Sequence, residues 1–285
     1  MSEAASVVTE IPGYRAFEAW TPDGLRICGQ DWSGKGALGR DVLLIHGISQ
    51  ASLCWLKQVI SPLAGRYRLV TYDLRGHGGS DKPLSREYYQ EGARWAGEVQ
   101  AVIDAAGLEK PVIVAWSYGG RVALDYLQVA GGGAIAGLVM VGATSCGDRS
   151  MFGSGAPFLA AMAEHSDLAH NMVATREFLR HCVAVPLPAE ELEFMLAYNL
   201  MVPPGVRAAM GGRPAPYEPV LRALNAPVLA LHGEQDCMVL PAMAHYTARN
   251  CAHAEVLIYE GIGHAPFWET PERFNADLAT WLDGL

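Results

Sequence analysis

Residues 112–120 read VIVAWSYGG, an apolar run that enters Ser117 and passes directly into a helical pattern. A strand that turns this sharply into a helix needs small residues two positions to either side, because the two elements approach closely there. Ala115 and Gly119 meet that need. The turn would lift the Ser117 hydroxyl above the carboxyl edge of a sheet and place the N–H of Tyr118 at a helix N-terminus. The stretch therefore predicts a nucleophilic serine, although a serine that only caps a helix would read alike.

Seven further apolar runs have the composition of strands, and most are separated by helical patterns. We expect an α/β fold in which an eight-stranded, mostly parallel sheet is flanked by helices. The predicted strands span residues 15–20, 25–32, 41–46, 67–72, 111–116, 136–142, 226–231 and 254–259. The predicted helices span residues 52–64, 87–106, 118–130, 240–250 and 269–284.

The gap between the sixth and seventh predicted strands is much longer than the others, at about eighty residues. Structureless loops of that length are uncommon in compact domains, so we expect an inserted helical cap. Residues 167–182 and 188–201 have helical composition. The prediction divides the chain into a core of residues 1–143 and 225–285 and a cap of residues 144–224.

Composition narrows the possible partners of this chain. Of its 285 residues, 51% are hydrophobic and 18% are charged, which favours a globular protein with a large core. A net charge of -9 gives no electrostatic reason to bind nucleic acid or an anionic membrane. The scattered cysteines suggest neither a zinc site nor a redox pair. We expect a small-molecule substrate, no cofactor and no metal, with a monomer and a homodimer both open.

The N-terminal stretch, MSEAASVVTE, lacks a basic region followed by an apolar run. It does not have the pattern of a signal peptide. No apolar run approaches the ~20 residues that a membrane span requires. The sequence therefore predicts a soluble, cytoplasmic protein.

A serine nucleophile needs a histidine base and an acid that fixes the tautomer of that histidine. Asp236 follows the predicted strand PVLALHG, and His264 follows the predicted strand VLIYEG. Since the carboxyl ends of parallel strands meet at one edge of a sheet, both side chains should converge on Ser117. Taken singly, either could be an ordinary loop residue.

The order Ser117, Asp236, His264, each after a strand, resembles the serine hydrolases of the α/β-hydrolase superfamily. LLIHGIS at 43–49 and YDLRGHGGSDKP at 72–83 are similar to the oxyanion loop of that family and to the loop after its next strand. The resemblance extends over nearly the whole chain. It implies the α/β-hydrolase fold with an inserted cap.

By that resemblance, Ile48 donates a backbone N–H to the oxyanion beside the N–H of Tyr118, and His46 supports the loop. The serine turn departs from the family's Gly-x-Ser-x-Gly pattern only in Ala115, which adds one methyl group. The implied reaction is hydrolysis of a carboxylic ester, lactone or thioester through an acyl-enzyme. Epoxide and carbon–halogen hydrolysis are disfavoured because those relatives use an aspartate nucleophile.

Three other activities remain open. Ser117-Tyr118-Gly119-Gly120 also resembles the corresponding turn of cofactor-free haloperoxidases (perhydrolases) and of C–C bond hydrolases. A ligand receptor on the same fold is a further alternative, since some relatives keep the same residues and sense a ligand.

Large and apolar side chains flank the predicted catalytic positions. We expect a mainly apolar pocket for a medium-sized acyl or aromatic group. The residues assigned to it are Ser49, Trp116, Met238, Phe267 and Trp268. Trp116 and Trp268 could equally belong to the core.

Asp148, just after the sixth predicted strand, is the rival acid, because some relatives carry it there. Residues 73–78, with alternating charged residues and glycines, could suggest a metal or phosphate site. No second ligand cluster lies nearby, so we interpret them as a structural turn.

Two polar groups in the predicted cap receive no catalytic role. Three histidines do not line one helical face as metal ligands would, and they are His165, His170 and His181. Three acidic residues are most simply the solvated first turn of a helix, and they are Glu190, Glu191 and Glu193.

Overall fold

The computed structural model describes residues 13–32, 39–164 and 166–285. The segment MSEAASVVTE and His165, on which two of the sequence predictions rest, lie outside the described residues.

Eight strands in the described residues form one sheet with the order β1-β2-β4-β3-β5-β6-β7-β8. The strands are β1 (Arg15–Trp20), β2 (Arg26–Asp31), β3 (Asp41–Ile45), β4 (Arg68–Tyr72), β5 (Val112–Trp116), β6 (Gly137–Val141), β7 (Val228–Gly233) and β8 (Ala254–Tyr259). β2 runs antiparallel to β1 and β4, and all other neighbours are parallel. The predicted eight-stranded, mostly parallel sheet is confirmed.

Apart from His232 near the end of β7, the central strands β5, β6 and β7 carry no polar side chain, because helices cover both faces of the sheet. Every residue of β5, β6 and β7 is buried. Of the two largest core clusters, one contains Trp95 and Leu124, and the other contains Trp55 and Phe274. This packing fixes the carboxyl ends of the three strands at one edge, where the predicted site residues follow.

The α-helices outside the long insertion are shorter than predicted. They are α1 (Leu56–Val59), α2 (Leu63–Arg66), α3 (Glu87–Gln90), α4 (Gly92–Ala106), α5 (Gly119–Ala130), α11 (Ala242–Asn250), α12 (Pro266–Glu269) and α13 (Pro271–Asp283). The predicted helix 52–64 is wrong as one element: it starts as a 3-10 turn and breaks before Pro62. The predicted helix 87–106 is interrupted at Glu91, whose backbone is extended. Pro271 restarts the last helix after Thr270.

We call residues 144–224, between β6 and β7, the inserted segment. Its α-helices are α6 (Pro157–Ala161), α7 (Leu168–His181), α8 (Ala189–Leu200), α9 (Pro204–Met210) and α10 (Glu218–Ala223). The predicted helices 167–182 and 188–201 correspond to α7 and α8. The three short helices that the prediction omits each carry a proline in the first turn, where its fixed φ suits a helix start.

The interpretation of the acidic cluster as fully solvated is wrong for Glu191. Glu190 and Glu193 are exposed, but Glu191 is buried. Its carboxylate lies 3.1 Å from Lys57 Nζ and accepts a hydrogen bond from the indole N–H of Trp268. Glu191 therefore anchors α8 to the core through one partly buried ion pair.

Within the ranges that the structure covers, no helix combines the length and the apolarity needed to traverse a lipid bilayer.

Candidate active site

Ser117 occupies the tight turn between β5 and α5. Its φ of 55° lies in the left-handed region, which residues other than glycine seldom adopt. Two hydrogen bonds to the end of β6 and the residues after it hold the turn: Ser117 N–H donates to Val141 O at 3.0 Å, and Thr144 N–H donates to Ser117 O at 3.0 Å. Strain of this kind persists only where the surroundings over-determine it. The turn has the geometry that the sequence predicts.

The small residues around this turn are required by close contacts with the end of β3 and the loop that follows it, residues 46–50, which we call the β3 loop. A Cβ atom on Gly119 would lie 2.7 Å from Ile45 O and 2.8 Å from His46 O. A Cβ atom on Gly47 would lie 3.0 Å from Ser117 Cβ. The β3 loop therefore lies directly against the serine.

Asp236 and His264 meet beyond the carboxyl ends of β7 and β8. His264 Nδ1 lies 2.6 Å from Asp236 Oδ2. The other carboxylate oxygen accepts hydrogen bonds from the backbone N–H groups of Met238 at 2.8 Å and Val239 at 3.0 Å. His232 Nε2 lies 3.0 Å from Oδ2. Asp236 is thus held by four groups, two backbone N–H groups and two imidazoles, and the imidazole of His264 lies nearest.

Asp236 remains ionised at neutral pH despite its burial. Desolvation raises its pKa, but the charge of His264 and the hydrogen bond from His232 outweigh this and lower the pKa to about 2. An ionised carboxylate can only accept, so Nδ1 of His264 carries the proton and Nε2 is left as a base. Trp116 Nε1 donates to His264 O at 2.8 Å, which ties the histidine loop to the residue before Ser117.

Gly142 is a site residue that the sequence interpretation missed. It has a φ of 48°, and a Cβ atom there would lie 3.0 Å from His264 Nδ1 and 3.2 Å from Asp236 Oδ2. A side chain at this position would crowd the pair, and the positive φ also favours glycine. The available signal was a glycine directly after the apolar run of β6.

Asp148, the rival acid, lies on the surface. Its Oδ1 accepts hydrogen bonds from the N–H and the hydroxyl of Ser150 at 2.9 and 2.8 Å. These bonds lower its pKa. Its carboxylate caps a 3-10 turn and makes no hydrogen bond or ion pair with His264, whose carboxylate partner is Asp236.

The loop after β3 forms a turn in which Gln50 N–H donates to Gly47 O at 3.3 Å and Ser49 adopts a φ of 63°. Ser49 N–H donates to His77 Nε2 at 3.0 Å, and His77 Nδ1 in turn donates to Arg75 O at 2.9 Å. That arrangement requires neutral His77. Burial lowers the pKa of His77 well below its usual value, which agrees.

His46 supports the same loop from the other side. Its Nε2 accepts from Leu74 N–H at 3.0 Å, and its Nδ1 donates to Gly47 O at 2.7 Å. Burial also lowers the pKa of His46. Residues 73–78 therefore brace the β3 loop, and the described part of the chain has no group of three or more His, Cys, Asp or Glu residues placed to hold a metal ion.

Two backbone donors beside Ser117 are free. Across the described ranges, neither the N–H of Ile48 nor that of Tyr118 donates a hydrogen bond to a protein acceptor. Both residues line the same cavity as Ser117. Two such donors can stabilise a developing oxyanion.

The cavity that contains Ser117 has a volume of about 910 Å³. Much of its wall comes from the inserted segment. Apolar residues of that wall include Phe152, Ala156, Leu159, Ala160, Ala163 and Phe178. A cavity of this size suits a medium-sized ligand.

The predicted pocket residues lie mostly elsewhere. Met238 lines the cavity, whereas Ser49, Trp116, Phe267 and Trp268 do not. Trp116 packs against Phe267 with ring centroids 4.9 Å apart, and both are buried in the core. Trp116, Phe267 and Trp268 pack in the core behind the site, whereas α6, α7 and α9 supply much of the cavity wall.

The two histidines of the inserted segment that the structure describes do not line this cavity. His170 is exposed at the start of α7, and His181 packs its ring against Phe158 with centroids 4.7 Å apart.

Comparison with known proteins identifies relatives over nearly the whole chain. The Alpha/beta hydrolase family matches residues 42–277. Esterase RhEst1 from Rhodococcus sp. ECU1013 is 35% identical, over 95% of this chain and 99% of that chain, with a TM-score of 0.86. A Burkholderia cenocepacia structure proposed to be an aryl esterase is 33% identical, over 94% and 98%, with a TM-score of 0.89. The non-heme chloroperoxidase of Streptomyces lividans is 27% identical, over 92% and 98%.

Proposed function

The chain belongs to the alpha/beta hydrolase family, and we propose that it is a serine hydrolase that cleaves a carboxylic ester or lactone through an acyl-enzyme. The family resemblance inferred from the sequence is confirmed. The esterase relatives support the hydrolase assignment, and the proposed reaction and residues go beyond it.

In the proposed reaction, Ser117 Oγ attacks the carbonyl carbon while His264 Nε2 takes its proton. The negative charge that develops on the carbonyl oxygen is stabilised by the N–H groups of Ile48 and Tyr118. Collapse expels the alcohol, which receives the proton from His264, and leaves the acyl group on Ser117. Water activated by His264 then releases the acid. Asp236 holds the imidazole and stabilises its cationic form.

The single observation that carries this proposal is the pairing of His264 with an ionised, fully hydrogen-bonded Asp236 at a distance of 2.6 Å. An orienting carboxylate of this kind is what a histidine base requires. The left-handed turn at Ser117 and the free N–H groups beside it support the same reaction.

For domain organisation, we propose that residues 1–143 and 225–285 form the core and residues 144–224 act as a cap over Ser117. The support is the cavity wall, to which Phe152 and Phe178 contribute from the inserted segment. The apolar wall favours a medium-sized substrate with a large apolar part.

A second candidate is perhydrolysis, in which hydrogen peroxide instead of water attacks the acyl-enzyme and releases a peracid. The observation that favours it is the similarity to the chloroperoxidase of Streptomyces lividans. The Ser117-Tyr118-Gly119-Gly120 turn suits this candidate and C–C bond hydrolysis equally well. Both would use the same residues.

The experiment is hydrolysis of 4-nitrophenyl acetate and butyrate by the wild type and Ser117→Ala. We expect turnover by the wild type and loss of at least about three orders of magnitude in kcat in the variant. Bromination of a reporter in the presence of acetate, hydrogen peroxide and bromide, and cleavage of a β-diketone, measure the two alternatives in parallel. Absence of any ester turnover would contradict the proposal. Labelling of Ser117 by a fluorophosphonate without turnover would favour a receptor.

A further inference from the structure

The wall of the Ser117 cavity has an uneven charge distribution. Arg121, Arg149 and Arg207 line it, whereas no aspartate or glutamate does so among the described residues. This contrasts with a chain whose net charge is -9. None of the three guanidinium groups forms an ion pair with a carboxylate in the ranges that the structure covers.

Arg207, in α9, is the most enclosed of the three, with 4% of its surface exposed. Its Nη atoms donate only to uncharged acceptors, among them Met162 O at 3.0 Å and Asn199 O at 2.6 Å. Its Nε–H has no acceptor in the described residues. Arg207 also lines the cavity that contains Ser117.

The other buried arginines show how this protein normally treats such a charge. Arg75 Nε lies 2.6 Å from the carboxylate of Glu98, and Arg213 Nη1 lies 2.6 Å from that of Asp125. Both guanidinium groups are therefore compensated inside the fold. Arg207 differs from them in that no described carboxylate pairs with it and in that it lines the cavity that contains Ser117.

Burial is the one cause that shifts the pKa of Arg207. Desolvation lowers its pKa to about 10, with no carboxylate to raise it again, so the group is still cationic at neutral pH. Leaving a buried charge unpaired is unfavourable, and a bound anion would remove that cost.

We propose that the substrate is an ester that carries a free carboxylate, and that Arg207 binds this carboxylate during hydrolysis at Ser117. The proposal rests on the serine hydrolase function proposed above and narrows its substrate class. The planar guanidinium fork matches a carboxylate in shape and charge. Arg121 and Arg149 add positive potential to the same cavity. The apolar wall would contact the remainder of the substrate.

A purely structural Arg207 would only join α9 to α7 and to the ends of α6 and α8 through its hydrogen bonds. Its loss would then lower activity on every ester in parallel. An anion-binding Arg207 instead changes the ratio between charged and uncharged substrates. The ratio of kcat/KM values is therefore the readout.

The experiment compares two matched substrate pairs on the purified full chain. For a carboxylate in the acyl part, 4-nitrophenyl hydrogen glutarate is paired with 4-nitrophenyl 5-methylhexanoate, in which an isopropyl group replaces the carboxylate. For a carboxylate in the alcohol part, the butyrate ester of 4-hydroxybenzoic acid is paired with that of 4-hydroxybenzamide. We expect the wild type to prefer the charged member of one pair by about tenfold or more in kcat/KM.

In Arg207→Met this preference should disappear. Arg207→Lys keeps the charge but loses the fork, and it should retain part of the preference. If the methionine variant does not fold, an unchanged ratio in the lysine variant would overturn the assignment to Arg207. The matched control is Arg176→Met, which removes the same charge from exposed α7 and should keep the wild-type ratio.

Three results contradict the inference. A wild type that favours neither charged substrate overturns it, as does a parallel loss on both members of a pair in Arg207→Met. An equal change in Arg176→Met would mean that general charge steering causes the preference. If no ester is turned over and Ser117 is not labelled by a fluorophosphonate, the proposed hydrolase function fails instead.

Discussion

His264 Nδ1 lies 2.6 Å from Asp236 Oδ2, and the hydrogen of Gly142 occupies the space beside this pair where any side chain would collide with both. The pair joins the carboxyl ends of β6, β7 and β8 into one functional unit. The residues after these three strands are far apart in the sequence but lie in contact around the hydrogen bond between Asp236 and His264. Several of the predictions below depend on that contact.

Replacing Asp236 with asparagine should lower kcat for 4-nitrophenyl esters by about four orders of magnitude, because an amide favours the wrong tautomer of the imidazole. Steady-state kinetics measure the loss. Asp148→Asn is the control, since Asp148 is exposed and bonded to Ser150. The reverse pattern would transfer the acid role to Asp148.

Gly142→Ala should lower kcat by about a hundredfold or more, because its Cβ would lie 3.0 Å from His264 Nδ1. The matched control is Gly107→Ala. Gly107 also has a positive φ, of 63°, but nothing lies within 4 Å of the added methyl group. Both variants should lose about 1 kcal/mol of stability to backbone strain, and only Gly142→Ala should lose activity. Equal activity in the two variants would contradict the steric account.

Removing the imidazole of His77 should weaken the β3 loop, because Ser49 N–H loses its acceptor. We expect His77→Ala to lower kcat by about tenfold to a hundredfold, with a smaller change in KM, since the loop positions the Ile48 donor. His253→Ala removes an exposed histidine and serves as the control. A change in KM alone would indicate that the loop binds substrate instead.

A large side chain on the inserted segment should shorten the range of accepted acyl chains. Ala156 lines the cavity, so Ala156→Trp should reduce the kcat/KM ratio of 4-nitrophenyl octanoate to acetate by about tenfold or more. Ala189→Trp, at an exposed position at the start of α8, should keep the wild-type ratio. If the two variants behave alike, the inserted segment does not form the acyl pocket.

The low pKa of Asp236 links stability to pH. The pKa rises from about 2 in the folded protein to its ordinary value of 3.8 on unfolding. The unfolded state therefore binds the proton more tightly, and the stabilisation, on the order of 2 kcal/mol, is present above pH 4 and lost toward pH 2. Urea unfolding of the wild type and Asp236→Asn should show a stability difference that shrinks over that interval. A difference independent of pH would contradict the assignment.

The strands and the serine turn could be predicted from the sequence because their causes are local. A run of four to six apolar residues predicts a strand that is buried on both faces, and this pattern does not depend on which helices pack against it. β5 is an example. The small residues Ala115 and Gly119 mark the turn at Ser117 without knowledge of the contacts that require them.

The rest depends on contacts between distant residues. Glu191 is buried because Lys57 and Trp268 lie against it, and nothing near Glu191 in the sequence indicates this. Trp116 and Phe267 are close to Ser117 and His264 in the sequence, yet their rings pack against each other in the core behind the site. The sequence does not indicate that Arg207 lines the cavity that contains Ser117, because this depends on where α9 packs.

The central claim is that Ser117 is the nucleophile, and identification of the residue that is covalently modified tests it most directly. The wild type is treated with a fluorophosphonate, and the labelled peptide is sequenced by mass spectrometry alongside Ser117→Ala and the neighbouring control Ser145→Ala. We predict one label on Ser117, its absence in Ser117→Ala, and loss of esterase activity in proportion to labelling. A label on another residue, or full activity in Ser117→Ala, would contradict the account.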